Sequence, residues 1–549
     1  MGLFSILNIA DSALYSSQAA IATASNNIAN ANTPGYDTET TVLAPVDYIN
    51  VSGANSGPAN YGGVAVSGVQ RQYDSYLQSQ IYQQQQSLSS SDSSSNILGQ
   101  VEQAFNETGD TGLATYYNNF VDAWQQVAGN PADTSARTVL ISDAQALAGA
   151  AQDKQNTLQA AVTETNNEIA KTVTTVNNLA SQIADVNKQI GELANPTDGS
   201  DIQLRDQRDN LMTQLSQYIG FSYYEDSTGR VTIISGMQNL VSGDQTNALS
   251  VKADSNGDNQ LYLNGINITS NVQKGSLGGL IAARSDAETQ GIVPLKRFVA
   301  ALVQQVNKIQ EQGYDLNGTS ASSEPFFTPL SLYTAADSQA SITASVSDES
   351  QLTLDDYEIK IGGSGSNLTY SVYDSQTGGQ VGSAGSYSSG GTTITLMPGI
   401  SATISGAAAA GDTFSISPTA NSVNDFSVAL TDGSQIAAAQ TANSPGDNSN
   451  ALAMVNMLQG GQVSGLGGDT LMGYYQGIVA ATGTLSKAAS DSQTFNQNLL
   501  DQLNQQRDST SGVSLDDQAI DLIKFQQAYQ AGAKVIETTQ QLLQTLINM

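Results

Sequence analysis

The residues best spaced for chemistry are acidic side chains in a short glycine-containing loop. Asp254, Asn256 and Asp258 occupy alternate positions, as the first ligands of a twelve-residue calcium loop do. Such a loop needs glycine at its sixth position and glutamate at its twelfth, where this sequence has Asn259 and Gly265. We therefore expect a solvated turn here and no metal site.

The other candidates for chemistry are equally sparse. Asp206 and Asp209 flank Arg208 in a helical pattern, which we interpret as local charge pairing on the surface. The chain has no His and no Cys, so it lacks the commonest zinc ligands and the usual acid–base residue at neutral pH. Serine–lysine or paired-carboxylate catalysis stays possible in principle, but no such arrangement stands out. We expect no enzymatic activity, no catalytic residue, no cofactor and no metal.

The charge of the chain limits its partners. Its 549 residues carry a formal net charge of −31, which argues against nucleic acid or an anionic membrane as a partner. No segment approaches the roughly 20 apolar residues that a membrane span requires, so we expect no membrane insertion. The first basic residue is Arg71, which predicts that no cleavable signal peptide of the ordinary type is present.

The elements that position the side chains begin with two terminal helices. Apolar residues recur every seven positions near both ends of the chain, which is typical of helices that pair as a coiled coil. Ser514 and Asp517 predict the capped start of the second helix. The predicted interface consists of Leu7, Leu14, Ile21, Ile28, Leu515, Leu522, Tyr529, Ile536, Leu543 and Ile547. The companion rows are Leu3, Ala10, Ser17 and Ala24 near the start, and Ala519, Gln526, Ala533 and Gln540 near the end.

A long helix and a β-rich segment lie between these ends. Residues 134–193 keep a heptad pattern through Val162, Ile169, Val176, Ile183 and Ile190, until Asn195-Pro196 ends it. From Phe221 the pattern changes to a period of two, and residues 352–416 contain only strand and turn signals. The expected fold is mainly α with β modules: a terminal coiled coil, a body of bundled long helices and an inserted all-β outer domain.

These patterns divide the chain into three expected domains. Residues 1–50 and 511–549 form a discontinuous coiled-coil core domain. Residues 51–337 and 416–510 form the helical body, with a small β subdomain near 221–270. Residues 338–415 form the inserted β domain, which begins and ends in Ser-, Thr- and Ala-rich sequence as inserted domains often do.

Two terminal motifs resemble a known family. The segment Ala24-Ser-Asn-Asn-Ile-Ala-Asn-Ala-Asn-Thr-Pro-Gly-Tyr36 is similar to the N-terminal signature of the bacterial flagellar rod, hook and hook-associated proteins. The segment Phe525-Gln-Gln-Ala-Tyr-Gln-Ala-Gly-Ala-Lys-Val-Ile536 resembles their C-terminal signature. Both motifs are specific, and they occur together at opposite ends of the chain.

Internal segments narrow the resemblance to the hook-associated members that form the hook–filament junction. These segments are Asp206–Ser216, Gly313–Gly318 with Pro325–Phe327, and Asn130-Pro131 with Ala136-Arg137. The resemblance is weakest over residues 338–415. The family often has His before the Gly313 segment, where this chain has Gln310; no catalytic role depends on that difference.

The resemblance implies a structural function. Such a protein forms the junction layer between hook and filament, and its paired termini lie in the inner core of the tube. The implied partners are further copies of itself in a ring or helical layer, the hook protein, a second hook-associated junction protein, and a cytosolic export chaperone that binds the C-terminal helix. The implied location is the extracellular flagellum, reached through the flagellar type III export apparatus without a cleavable signal peptide.

Two alternatives stay open from the sequence. The chain could be a hook-type or other axial flagellar subunit, because the terminal motifs are shared across the family. The inserted β module could instead carry hydrolase activity or act as an adhesive surface. Against hydrolysis, residues 352–416 contain no His, no Cys and few acids.

Overall fold

The computed structural model describes residues 3–33, 35–46, 62–107, 109, 111–193, 201–347, 352–365, 367–395 and 397–548. Contacts divide the chain into two compact units. Unit 1 comprises Met1–Ser93, Glu168–Ile281 and Ser490–Met549, and unit 2 comprises Ser94–Asn167 and Ala282–Ala489. The three domains expected from the sequence stay a prediction.

Long α-helices dominate the described ranges. A π-helical turn, Ala287–Ile292, joins the sixth of them to the seventh. In chain order they are α1 Leu3–Asn30, α2 Ser75–Ala104, α3 Leu113–Gly129, α4 Thr134–Glu192, α5 Ile202–Tyr218, α6 Gly275–Asp286, α7 Val293–Gln310, α8 Ser449–Gly460, α9 Leu471–Ser511 and α10 Leu515–Ile547.

Helix α4 shows why the heptad pattern predicts a long element. It runs for 59 residues, and the heptad row Val162, Ile169, Val176, Ile183 and Ile190 is buried along its whole length. Leu158, Leu179 and Val186 are buried beside this row, and the exposed positions are mostly polar, so one continuous apolar stripe is removed from water. The predicted helix is therefore confirmed, and it ends at Glu192. The Asn195-Pro196 break lies outside the described residues.

The described part of unit 1 contains three small antiparallel sheets. The first pairs β1, Glu39–Pro45, with β2, Val64–Arg71. The second has the order β3-β4-β5-β6 and the third the order β7-β8-β9. Their strands are β3 Ser222–Glu225, β4 Val231–Ser235, β5 Gln238–Ser242, β6 Gln245–Thr246, β7 Leu249–Ala253, β8 Asn259–Leu263 and β9 Ile266–Asn267.

Unit 2 is organised around an aromatic core. Trp124 on α3 is fully buried and its ring centroid lies 5.6 Å from that of Phe326. The ring of Phe120 packs against those of Trp124 and Phe327, and the ring centroids of Phe327 and Phe426 lie 4.8 Å apart. Aromatic pairs at such separations add favourable contact energy to their burial. The single tryptophan of the chain therefore reports on the folding of unit 2.

Unit 2 also contains the expected all-β module, whose strands run from Tyr333 to Ser417. Two sheets, ordered β10-β17-β12-β13-β14 and β11-β16-β15, share one apolar core. On β16 the residues Ile400, Ala402 and Ile404 are buried, and Ser or Thr alternates with them. The strands are β10 Tyr333–Asp337, β11 Ser341–Val346, β12 Tyr357–Ser364, β13 Asn367–Asp374, β14 Gln380–Ser386, β15 Thr392–Ile394, β16 Ile400–Ser405 and β17 Thr413–Ser417.

The described helices include none that is long and apolar enough to cross a membrane.

Candidate assembly site at the paired chain ends

Helices α1 and α10 pack against each other within unit 1, so the two ends of the chain meet as the heptad rows predict. Ser514 caps α10, because its side-chain oxygen accepts a hydrogen bond from the backbone N–H of Asp517 at 3.3 Å. Asp516 and Asp517 in the first turn face the positive end of the helix dipole. Small residues Ala10, Ser17 and Ala24 are buried one heptad apart on α1.

Gly532 sets how closely the two helices approach. A Cβ atom at this position would lie 3.2 Å from Leu14 Cδ2 and 3.6 Å from the carbonyl oxygen of Ala10. The Leu14 side chain therefore packs directly against the backbone of α10 at Gly532. A larger side chain would have to move the two helices apart, since an interior this tight has no free volume.

Asn27 on α1 ties three elements together with four hydrogen bonds. Its Nδ2 donates to the carbonyl oxygen of Glu39 at 2.8 Å and to Gln518 Oε1 at 2.8 Å. Its Oδ1 accepts from the backbone N–H of Glu39 at 3.0 Å and from the hydroxyl of Tyr36 at 2.8 Å. The full hydrogen-bonding capacity of this buried amide is therefore used.

Thr38, which follows Tyr36 closely in the chain, forms hydrogen bonds to the connection between α9 and α10. Its backbone N–H donates to the carbonyl oxygen of Ser511 at 2.8 Å, and its hydroxyl donates to that of Gly512 at 2.9 Å. Its own carbonyl oxygen accepts from the N–H of Gln72 at 2.8 Å. We call the segment Tyr36–Thr38 with its partners at Ser511 and Gly512 the joint. The joint fixes where α10 leaves the rest of unit 1.

A buried ionic cluster lies beside the joint. Arg71 forms ion pairs with Asp206 and, at 2.8 Å, with Asp209, and its Nε lies 3.7 Å from Asp37 Oδ2. The guanidinium carbon also lies 4.1 Å above the Tyr73 ring. One cation thus serves three carboxylates from two separate elements. We call Arg71, Asp37, Asp206 and Asp209 the aspartate cluster.

This cluster corrects part of the interpretation of Asp206 and Asp209 as a local surface pairing with Arg208: Arg208 Nε does lie 3.7 Å from Asp209 Oδ1, but the pair is buried and Asp206 pairs with Arg71 instead. Asp206 and Asp209 lie one helical turn apart on α5, so both reach Arg71. Arg208 is buried, and it donates to the carbonyl oxygen of Gly229 at 2.6 Å and to Glu225 at 2.9 Å. The sequence showed the acidic spacing but not the distant arginine.

Burial and neighbouring charges shift the pKa values of Asp37 and Asp206 in the aspartate cluster and of Tyr36 beside it. Burial raises the pKa of Asp37 to about 6, opposed by Arg71 and assisted by the charges of Asp206 and Asp209. Burial also raises the pKa of Asp206, although its pairing with Arg71 opposes this. The pKa of the Tyr36 phenol is raised as well, first by burial and then by Glu39.

The predicted interface residues divide into two groups. Leu7, Leu14, Ile21, Leu522, Ile536 and Leu543 are half-buried between the helices or beside them, whereas Ile28, Leu515, Tyr529 and Ile547 are exposed in the single chain. The companion row expected on α10 was wrong by one residue. Ala519, Gln526, Ala533 and Gln540 are exposed, and the residues that α10 buries are Gln518, Gly532 and Thr539. The small and hydrogen-bonding residues face α1 because they allow closer approach than the apolar pattern alone indicates.

None of the residues that the structure describes covers a second apolar face of α10. It is formed by Ile520, Ile523, Val535, Leu542 and Leu546, which are 41–63% exposed. Phe4 and Tyr15 on α1 are even more exposed, at 69% and 71%. Exposed apolar surface of this extent on one helix typically marks a contact site.

The remaining polar clusters are structural. Asp254 accepts from the N–H groups of Asn256 and Asp258 and from Gln260 Nε2, so the calcium-like loop is held by its own backbone. Lys154 in unit 2 donates to the carbonyl oxygen of Ala104 at 2.6 Å and to Glu107 at 3.2 Å. Over the described part of the chain, no group of three or more acidic residues is placed to hold a metal ion.

Three family models match parts of this chain. A model described as "Flagellar hook-associated protein FlgK helical domain" matches residues 98–327. "Flagella basal body rod protein" matches residues 7–36, and "Flagellar basal body rod FlgEFG protein C-terminal" matches residues 504–549. The terminal matches cover α1 and α10 and the motifs quoted for them.

Full-length relatives agree with these matches. Flagellar hook-associated protein 1 of Escherichia coli (strain K12) is 30% identical, over 99% of this chain and 100% of that protein. The protein of the same name from Bacillus subtilis (strain 168) is 27% identical, over 99% of this chain and 97% of its own length. The structure of the flagellar hook junction protein FlgK from Burkholderia pseudomallei has a TM-score of 0.68 at 23% identity, covering 79% of this chain and 100% of that one. That structure supports the fold.

Proposed function

Since this chain belongs to the flagellar hook-associated protein 1 family, we propose that it is a structural subunit of the bacterial flagellum that forms the junction layer between hook and filament. The observation that carries the proposal is the pairing of α1 with α10, which leaves a second apolar face of α10 uncovered. A subunit built in this way completes its core only when further subunits lie beside it.

The partners follow from this role. Further copies of the chain form the layer, the hook protein lies on one side, and a second hook-associated junction protein lies on the other. The exposed residues of the predicted interface, Leu515, Tyr529 and Ile547 among them, are proposed to contact these subunits. The same uncovered face of α10 suits a cytosolic export chaperone, because a helix with two apolar faces needs protection before assembly.

The proposed location is the extracellular flagellum, reached through the flagellar export apparatus without a cleavable signal peptide. Support comes from the family and from the absence of Cys, since a chain without thiols needs no oxidative folding after export.

The proposed role is structural and not enzymatic. Two buried cations that a catalyst could use are committed to structural contacts: Arg71 to its carboxylates, and Lys154 to Glu107 and to a backbone carbonyl. The relatives that match over their full length are hook-associated proteins, which favours the junction over a hook-type subunit.

The experiment is addition of the purified full-length protein to isolated hooks that lack junction proteins, followed by electron microscopy of the hook tips. A discrete layer at the distal tip is the expected result. A variant truncated after Gly512, which lacks α10, is the control and should leave the tips bare. Folded full-length protein that never decorates hook tips would overturn the proposal.

A further inference from the structure

The aspartate cluster has an unusual balance of charge for a buried site. Arg71 and Asp37 are each about one-tenth exposed, and Asp206 and Asp209 are 19% and 13% exposed. Arg71 contacts all three carboxylates, and Arg208 Nε reaches one of them, Asp209, at 3.7 Å. Arg208 also donates to Glu225 and to the carbonyl oxygen of Gly229, so it is shared with a carboxylate outside the cluster. When all three carboxylates are ionised, like charges face one another where water screens them poorly.

Asp37 couples this imbalance to the chain ends. Its preceding neighbour Tyr36 donates to Asn27, which bonds to Gln518 on α10. Its following neighbour Thr38 holds Ser511 and Gly512. A movement of the backbone at Asp37 would therefore strain the bonds on both sides of it that attach α10.

We propose that Asp37 is a proton-operated latch, which holds the joint closed when the carboxyl is protonated and loosens it when the carboxylate is ionised. The joint opens to release Asp37 into water, where the ionised form is well solvated. The latch acts within one chain and needs no assembly, so it stands apart from the proposed junction role.

The direction of the pH effect follows from the groups that face Asp37. Arg71 on β2 and Arg507 on α9 favour its ionised form, whereas Asp206 and Asp209 on α5 disfavour it, as burial does. Tyr36 and Tyr73 border the site, and Glu39 on β1 lies close to Tyr36 and Asp206. A pKa of about 6 in the closed joint, against 3.8 in an open one, means that closure is strongest below pH 4 and weakens as pH rises through 6.

Amide hydrogen exchange of Thr38 and Gln72 in the full-length monomer tests the latch. Wild type is compared with Asp37→Asn at the same pH, so the intrinsic pH dependence of exchange cancels. The ratio of wild-type to variant exchange should rise about tenfold between pH 5 and pH 7.5. The matched control is Asp501→Asn, an exposed carboxylate on α9, whose ratio should stay constant.

A second variant protects the test against a folding defect in Asp37→Asn. Asp206→Asn removes a neighbouring negative charge, so the midpoint of the pH dependence should move to lower pH. Slow amide exchange of the buried strand β4 shows that unit 1, which contains the cluster, is folded in each variant. An exchange ratio that does not change with pH, or an unmoved midpoint in folded Asp206→Asn, would overturn the latch.

Discussion

Asn27 on the first helix donates a hydrogen bond of 2.8 Å to Gln518 on the last, and both side chains are buried. This polar contact lies among Ala and Ser residues that supply little apolar area. Two buried amides that need each other as hydrogen-bond partners allow only one alignment of the helices, whereas small apolar residues would allow several alignments. The contact therefore determines register more than it adds stability.

Asn27→Ala should loosen both chain ends while unit 2 stays intact. The substitution leaves the backbone groups of Glu39, the Tyr36 hydroxyl and Gln518 without their partner, which we expect to cost about 2–4 kcal/mol. Hydrogen exchange of α10 measures the loss. Asn8→Ala, an exposed position on the same helix, is the control and should change nothing. Equal exchange in Asn27→Ala and wild type would contradict the role given to Asn27.

Substitutions at Gly532 and Ala533 distinguish the face of α10 that packs on α1 in the structure from the face expected from the heptad pattern. Gly532→Leu should separate the helices, because its Cβ alone lies 3.2 Å from Leu14, and overpacking of this kind costs about 1–3 kcal/mol. Ala533→Leu lies on the exposed side and should be neutral. Hydrogen exchange of α1 in the two variants measures the difference. A destabilising Ala533→Leu together with a neutral Gly532→Leu would instead support the helix face expected from the heptad pattern.

Leu542 and Leu543 separate pairing within the chain from contact between chains. Leu543→Asp places a charge at a half-buried position facing the pair, so it should weaken α10 in the monomer and prevent incorporation at hook tips. Leu542→Asp changes a residue that is 57% exposed, so the monomer should be unaffected and only incorporation should fail. Hydrogen exchange and hook decoration are the two measurements. Normal decoration by Leu542→Asp would exclude the uncovered face from assembly.

Lys154→Met should destabilise unit 2 by leaving Glu107 without its cation. Burial lowers the pKa of Lys154, and Glu107 also accepts from Tyr475 and from the N–H of Ala114. Removing one partner of such a pair typically costs about 3–5 kcal/mol. Urea unfolding followed by Trp124 fluorescence measures it. The double variant Lys154→Met with Glu107→Gln should recover part of the loss, and a double variant worse than the sum of both would contradict the pairing.

Removal of the β module should leave the aromatic core of unit 2 folded. The strands β10 and β17 pair with each other, so the cut belongs at residues 333–417 with a short flexible linker. Leu354 and Asp355 are lost with it, and Arg297 loses its 2.7 Å ion pair, so a modest fall in stability is expected. Trp124 fluorescence and hook decoration are the measurements. A folded deletion variant that cannot decorate hooks would place the module in the assembly interface.

The fold was largely predictable because its signals are local and repeated. The apolar row of α4 recurs every seven residues, and the strands of the β module alternate over short distances. Asn27 and Gln518 were missed because polar residues interrupt an apolar stripe, and no pattern shows that two interruptions face each other. The aspartate cluster was missed for a related reason. Asp206 and its partner Arg71 are 135 residues apart, and only the folded chain brings them together.

The separation in sequence between Asn27 and Gln518 also limits the order in which the elements can fold. These residues are 491 positions apart, and closing an unstructured loop of that length costs about 5 kcal/mol or more in chain entropy. The small buried residues of α1 and the few residues that α10 buries offer too little apolar contact to offset this cost from a disordered chain. The intervening residues must therefore compact first and shorten the effective loop. We expect docking of α1 on α10 to be the last step of folding, since contacts between distant residues form slowly.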